Sequence, residues 1–191
     1  MRRLLRAPGK PLHPPLTDAS IGAYTAGTAM LVFGALGVEE EQMAHGALLA
    51  ISLGLILAAP TALTGLLDWL DIPRKTSART VATIHLVVMV VATALFALTW
   101  LAQLDGYKDD EVRGLALALG LAGFAFLAVG GNVGGANVFV YGVRVLKAEQ
   151  TPPREALNPL GAGAEKLPRG GPVPPPGSRA EDRPSDQQPR R

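Results

Sequence analysis

Three histidines and one aspartate buried in an apolar run are the side chains of this 191-residue chain most suited to chemistry. His13 precedes two prolines in "KPLHPPLTDAS" (residues 10–20). Asp68 closes the run "APTALTGLLD", and His85 lies within "ATIHLVVM". The third histidine, His45, stands beside the acidic stretch Glu39–Glu41. A b-type haem takes axial imidazoles from facing elements, and His13 with His85 is the pair at compatible depth. A quinone-type pocket would use His85 and Asp68 to handle protons. Zinc or iron on His13, His85 and Asp68 is chemically allowed, but no metal-ligand spacing joins the three and no metal ligand is assigned. The competing structural reading has Asp68 paired with Arg74, Lys75 or Arg79, His85 donating to a neighbouring carbonyl, and the polar residues holding helices in register. His45 reads as an interfacial side chain, and Asn132 and Asn137 as interhelical hydrogen-bonding groups.

What positions these residues is the set of segments that carry them. Four apolar runs reach the ~18–20 residues of a bilayer crossing. They cover roughly 17–38, 43–71, 77–104 and 112–145. None shows a polar face at helical period, which argues against helices of a soluble protein. Basic residues dominate every second flank: Arg2, Arg3, Arg6 and Lys10, then Arg74, Lys75 and Arg79, then Arg144, Lys147 and Arg154. The intervening flanks, "EEE" and "DGYKDDEVR", are acidic. That alternation predicts a multi-pass bacterial plasma-membrane protein with both termini cytoplasmic. Trp69 is expected at the inner interface, and Trp100 and Tyr107 at the outer one. "MRRLLR" followed by Ala35-Leu36-Gly37 has some features of a signal peptide, but the apolar run is too long for one.

The fold class is therefore all-α: a four-transmembrane-helix bundle with a disordered tail. The domain division is 1–16 as a cytoplasmic flank, 17–147 as the helical domain and 148–191 as a proline-rich cytoplasmic tail. That tail holds ten of the sixteen prolines and cannot bury enough apolar surface to order itself. The absence of cysteine excludes disulfides, thiolate metal sites and cysteine-ligated clusters in this chain. The basic charge sits in short flanks without interleaved aromatics, so no nucleic-acid partner is expected. Nothing has the spacing of a hydrolase triad, a phosphate loop or a repeat-built transporter, and no catalytic residue is assigned.

Lipid gives helices no hydrophobic reason to associate, so small residues must let them pack closely. Stripes at every fourth position are expected to do this: Gly46, Ala50, Gly54, Ala58 and Ala62 in the second span; Ala19, Ala23 and Gly27 in the first; Gly114, Ala118, Ala122, Gly130 and Gly134 in the fourth. Pro60 should free the Ile56 carbonyl, with Thr61 or Thr64 compensating. Counting ~1.5 Å per residue places Asp68, Thr64, His85, Tyr24 and Asn137 in one inner-leaflet layer. His13 sits at its surface, in extended pre-proline geometry.

"LHPPLTD", "APTALTGLLDWLDIP", "ARTVATIHLVVM" and "GGNVGGANVFVYGVRV" resemble, in order and spacing over roughly residues 11–146, a bacterial inner-membrane family known as domain of unknown function 2231. The resemblance implies a four-helix membrane protein. Some members are fused to Rieske iron–sulfur domains, so it also implies a redox association and a Rieske-type or other redox partner beside the lipid bilayer. It marks His13, Pro14, Gly65, Asp68 and His85. Some relatives carry histidine where Asn137 stands here. The tail of this chain has neither cysteine nor histidine, so it carries no Rieske ligands. The expected role is a small redox-associated membrane subunit with a cofactor site at His13, Asp68 and His85. The alternative is a scaffold whose polar layer sets helix register and whose tail recruits a partner.

Overall fold

The structure, a computed structural model, describes residues 12–143. Expectations for the basic flank before Leu12, for Arg144, Lys147 and Arg154, and for the tail lie outside those residues. Four helices follow one another: α1 (His13–Ala35), α2 (Glu40–Asp71), α3 (Ser77–Lys108) and α4 (Gly114–Phe139). No strand occurs among the described residues. α2, α3 and α4 are long and apolar enough to cross a membrane; α1 is not among them, so three of the four expected spans meet that standard.

The connections are short and each is closed by specific groups. α1 ends at Gly37, with φ +80°, and its N–H reaches the Gly34 carbonyl while that of Val38 reaches Phe33, a Schellman closure. The Ala35-Leu36-Gly37 triplet thus caps a helix. α2 ends under Arg79: its guanidinium lies 3.4 Å above the Trp69 ring and donates to the Trp69 and Ile72 carbonyls. Thr76 starts α3 by accepting the Arg79 N–H. Gln103, fully buried, closes the α3–α4 turn by donating to Glu111 O and accepting from Arg113 N.

α1 packs chiefly on α2 and α3 on α4, and α2·α3 and α1·α4 contacts complete the ring. α1 and α3 therefore stand on one diagonal, α2 and α4 on the other. The two hairpins repeat each other. Tyr24 on α1 covers Gly54 on α2; Phe96, 72 residues after Tyr24, covers Gly123, 69 after Gly54. The two rings then stack on each other across the diagonal, centroids 4.1 Å apart and planes 5° apart. Ala47 and Ala116, equivalent by the same offset, are both fully buried.

The packing seam differs from the every-fourth stripes expected. Ala19, Ala62, Gly114, Ala118 and Ala122 are exposed. The buried positions alternate steps of three and four: Ser20, Tyr24, Gly27, Leu31, Gly34 on α1, and Ala116, Gly120, Gly123, Leu127, Gly130 on α4. A step of four overshoots the 3.6-residue turn by about 40° each time and leaves the face; alternation holds it. Gly27, Gly54 and Gly46 do pack as expected, against Ile51, Tyr24 and Met30. Nor does Pro60 lead to an Ile56 contact. Threonine hydroxyls reach carbonyls three or four residues back, so Thr61 bonds Leu57 O while Thr64 bonds Pro60 O and Thr61 O.

A Cβ at Gly54 would stand 2.6 Å from Tyr24 ring carbons. Gly54→Val should therefore cost about 1–3 kcal/mol through overpacking, and Phe96→Ala about 3–5 kcal/mol through the cavity left beside Tyr24. Thermal melts of detergent-solubilised protein check this. An unshifted Tm in both variants would remove the aromatic stack as the organising contact.

Candidate functional site

His13 is the first residue of α1, not an extended flank. Pro14 and Pro15 occupy the first turn, where their missing N–H groups cost nothing because first-turn donors have no helical partner anyway. The prolines start the helix at the histidine and so fix its place on the α1 seam. His85 sits on α3, 72 residues on, at the equivalent seam position.

The two imidazoles converge from diagonally opposite helices, with ring centroids 6.3 Å apart and planes 81° apart. Their anchoring is repeated as well. His13 Nδ1 donates to the Thr61 carbonyl of α2 at 3.0 Å, and His85 Nδ1 donates to the Gly130 carbonyl of α4 at 2.8 Å. Carbonyl oxygens only accept, so both Nδ1 atoms carry hydrogen and a neutral ring presents an Nε2 lone pair. Each ring also lies on a glycine four residues past its carbonyl. A Cβ at Gly65 would stand 2.7 Å from His13 Cε1, and one at Gly134 would stand 2.8 Å from His85 Cε1. Both positions require glycine for the close approach of the ring.

The surroundings of the two rings differ. Around His13 are hydroxyls: Thr17 Oγ1 is 3.5 Å from both ring nitrogens while donating to His13 O, and Ser20 Oγ lies 3.2 Å from Thr61 Oγ1. Around His85 the equivalent positions of Thr17, Ser20 and Thr61 are Met89, Ala92 and Gly130. One step further along the seams come Asp68 on α2, half-buried, and Asn137 on α4, buried with an Oδ1 that has no hydrogen-bond partner. Asp68 follows Gly65 by three residues, as Asn137 follows Gly134.

The sequence expectation of one polar layer holds for His13, His85, Thr64 and Asn137 but not for Tyr24. Tyr24 lies eleven residues up α1 from His13, about 16 Å at helical rise. It belongs to the aromatic stack, where Thr93 comes near its hydroxyl without hydrogen-bonding geometry. His45 lies at the opposite end of the bundle. Its Nε2 is 2.9 Å from both Tyr107 O and Asp110 Oδ1, and its ring packs 4.4 Å from that of Tyr107. Glu41, His45 and Asp110 bring one ligand atom each within 4.8 Å of one another, the single group of three of this kind among the described residues. His13, His85 and Asp68 do not form such a triad. Sequence reading missed Gln103 and this outer cluster, because Asp110 reaches His45 only through a left-handed backbone (φ +59°) no local pattern announces. Beside the cluster, the Lys108 ammonium lowers the pKa of the Asp105 carboxyl, by a hydrogen bond and by its charge.

A ring of four helices, three of them fit to span a bilayer, with paired imidazoles at one end defines a helical-bundle membrane protein. The chain belongs to the family DUF2231, described as "Predicted membrane protein", whose model matches residues 9–147. No curated protein and no solved structure matches it.

Gly65→Ala and Gly134→Ala should each displace the facing imidazole without unfolding the bundle. Gly22→Ala and Gly131→Ala, whose added Cβ meets nothing within 4 Å, are the controls. Histidine ring 15N shifts read the displacement. Equal spectra in all four variants would contradict the packing of ring on glycine.

Proposed function

We propose that this protein is a small redox-associated membrane subunit whose cofactor site lies between His13 and His85 at the cytoplasmic end of the bundle, with Asp68 at its mouth. The observation that carries this reading is the convergence of two imidazoles, each held by Nδ1–H on a backbone carbonyl of a neighbouring helix. That is how proteins orient ligand histidines and keep the second nitrogen available.

In the same reading all four helices cross the bacterial plasma membrane and both termini face the cytoplasm. α1 supports this by packing along α2 as α3 packs along α4. Arg74 and Lys75, exposed in the α2–α3 turn, support the cytoplasmic assignment of the histidine end. The acidic Glu39–Glu41 turn and the Asp109–Glu111 turn support the outer assignment of the other. The division into a flank of 1–16, a helical domain of 17–147 and a tail of 148–191 goes with it, as does a redox protein, Rieske-type or other, as partner. The scaffold alternative draws on the hydroxyl bonds around Thr61, which lock α1 to α2 whether or not a ligand is present.

Mass spectrometry of the small molecules and metals that copurify with the full chain separates the two. The wild-type chain should retain a redox group, and His13→Ala and His85→Ala should each lower its occupancy at least tenfold with helical circular dichroism preserved. Retention unchanged in both variants, or none in the wild type, sinks the redox reading. A lowered Tm with nothing bound favours the scaffold.

A further inference from the structure

We infer that the group held between His13 and His85 is an iron porphyrin of the b type, with the two imidazoles as axial ligands on opposite faces of one iron. This rests on the proposed redox site and narrows it to one ligand class.

The separation of the rings sets the size of what lies between them. A metal–imidazole bond is about 2.0 Å, and a ring nitrogen lies a little over 1 Å from its own centroid, so two imidazoles trans on one metal have centroids about 6 Å apart. The observed value is 6.3 Å. A quinone ring spanning the pair, with each carbonyl oxygen hydrogen-bonded at about 2.7–3.0 Å, would force the centroids several ångströms further apart. A centroid separation of 6.3 Å therefore matches a single metal atom between the rings and is too short for a quinone.

The donor set then selects the kind of metal. Both Nδ1 atoms are committed to carbonyls, which leaves one Nε2 from each side. Neighbouring hydroxyls are already donating: Thr17 to His13 O and Ser20 to Leu16 O. Asp68 forms no tight triad with the pair, unlike the three groups of the outer cluster. A bare zinc or iron ion would have two protein ligands where it takes four or more. A porphyrin supplies its own four equatorial nitrogens and needs from the protein only two trans axial donors.

The rest of this end suits the macrocycle. Its plane must stand across the line joining the rings, so its edges run toward α2 and α4. Those walls are built here of Thr61 and Gly65, and of Gly130 and Gly134. Asn137 brings a buried, unpartnered amide end one turn beyond Gly134, and an amide can present either a donor or an acceptor. Arg74 and Lys75 are exposed in the turn at the same end and supply positive charge for propionates.

The test uses the full chain in mild detergent, isolated from cells supplied with a haem precursor and, in parallel, titrated with haemin. One haem per chain is expected, with a six-coordinate low-spin spectrum that sharpens on dithionite reduction. Because the imidazole planes are near perpendicular, the ferric protein should give a strongly anisotropic low-spin paramagnetic-resonance signal. His13→Ala and His85→Ala should each abolish the six-coordinate species. His85→Gly with added imidazole should restore it, which separates lost ligation from lost fold. Failure of haemin to saturate at one per chain, or an unchanged spectrum in both alanine variants, overturns the inference. If copper(I) or a quinone analogue binds instead in a histidine-dependent way, the haem assignment falls and the redox site stands. If none of the three binds, both fall.

Discussion

Aromatic rings laid on glycines hold this bundle together. In lipid an apolar side chain gains little by turning inward, so helices associate through close packing and a few polar bonds. Glycine at 54 and 123 lets α2 and α4 approach until Tyr24 and Phe96 fill the centre and stack on each other. The same device recurs about 16 Å away, where Gly65 and Gly134 accept His13 and His85. Rings of similar shape thus occupy both levels. The upper pair completes a core. The lower pair, each ring anchored on a carbonyl, brings two imidazoles together.

Much of this was legible in the residues themselves. Helix number, the turns and the pairing of His13 with His85 follow from apolar run length and depth counting, because both depend on one dimension along the chain. What the helices present to each other depends on rotation, which run length does not encode. A strict four-residue step drifts off a seam that alternates three and four, so Ala62 and Ala118 turn to the outside while Ala47 and Ala116 are buried. Depth counted from a helix end that the sequence does not fix puts Tyr24 level with the histidines, and its partner Phe96 carries no polar atom that would mark the stack. A pre-proline residue favours extended geometry, which argues for His13 before the helix. The helix N-terminus, where prolines are welcome, decided otherwise.

The repeat of the two hairpins was the largest feature hidden in the sequence. Its register is 72 residues between first helices and 69 between second ones, and few residues are identical across it. What persists is role: ring at 13 and 85, ring at 24 and 96, glycine at 54 and 123, glycine at 65 and 134. An equivalence of roles survives when identities drift, because a ring-on-glycine contact constrains size at one position and absence of a side chain at the other. Parallel repeats about an axis along the membrane normal place equivalent residues at equal depth, and residues near that axis next to each other. The histidines meet for that reason.

Symmetry also explains where the halves part. A carboxylate on the α2 seam at Asp68 has Asn137 as its α4 counterpart. Two carboxylates at one level of a low-dielectric bundle would repel and could not both stay ionised at modest cost. One carboxylate and one carboxamide keep hydrogen-bonding capacity on both seams without that repulsion. The hydroxyls follow suit, with Thr17, Ser20 and Thr61 near His13 where Met89, Ala92 and Gly130 stand near His85. Hydroxyls surround one imidazole and not the other, though both rings are held through the same carbonyl bond. The two imidazoles are therefore matched in anchoring and unmatched in surroundings.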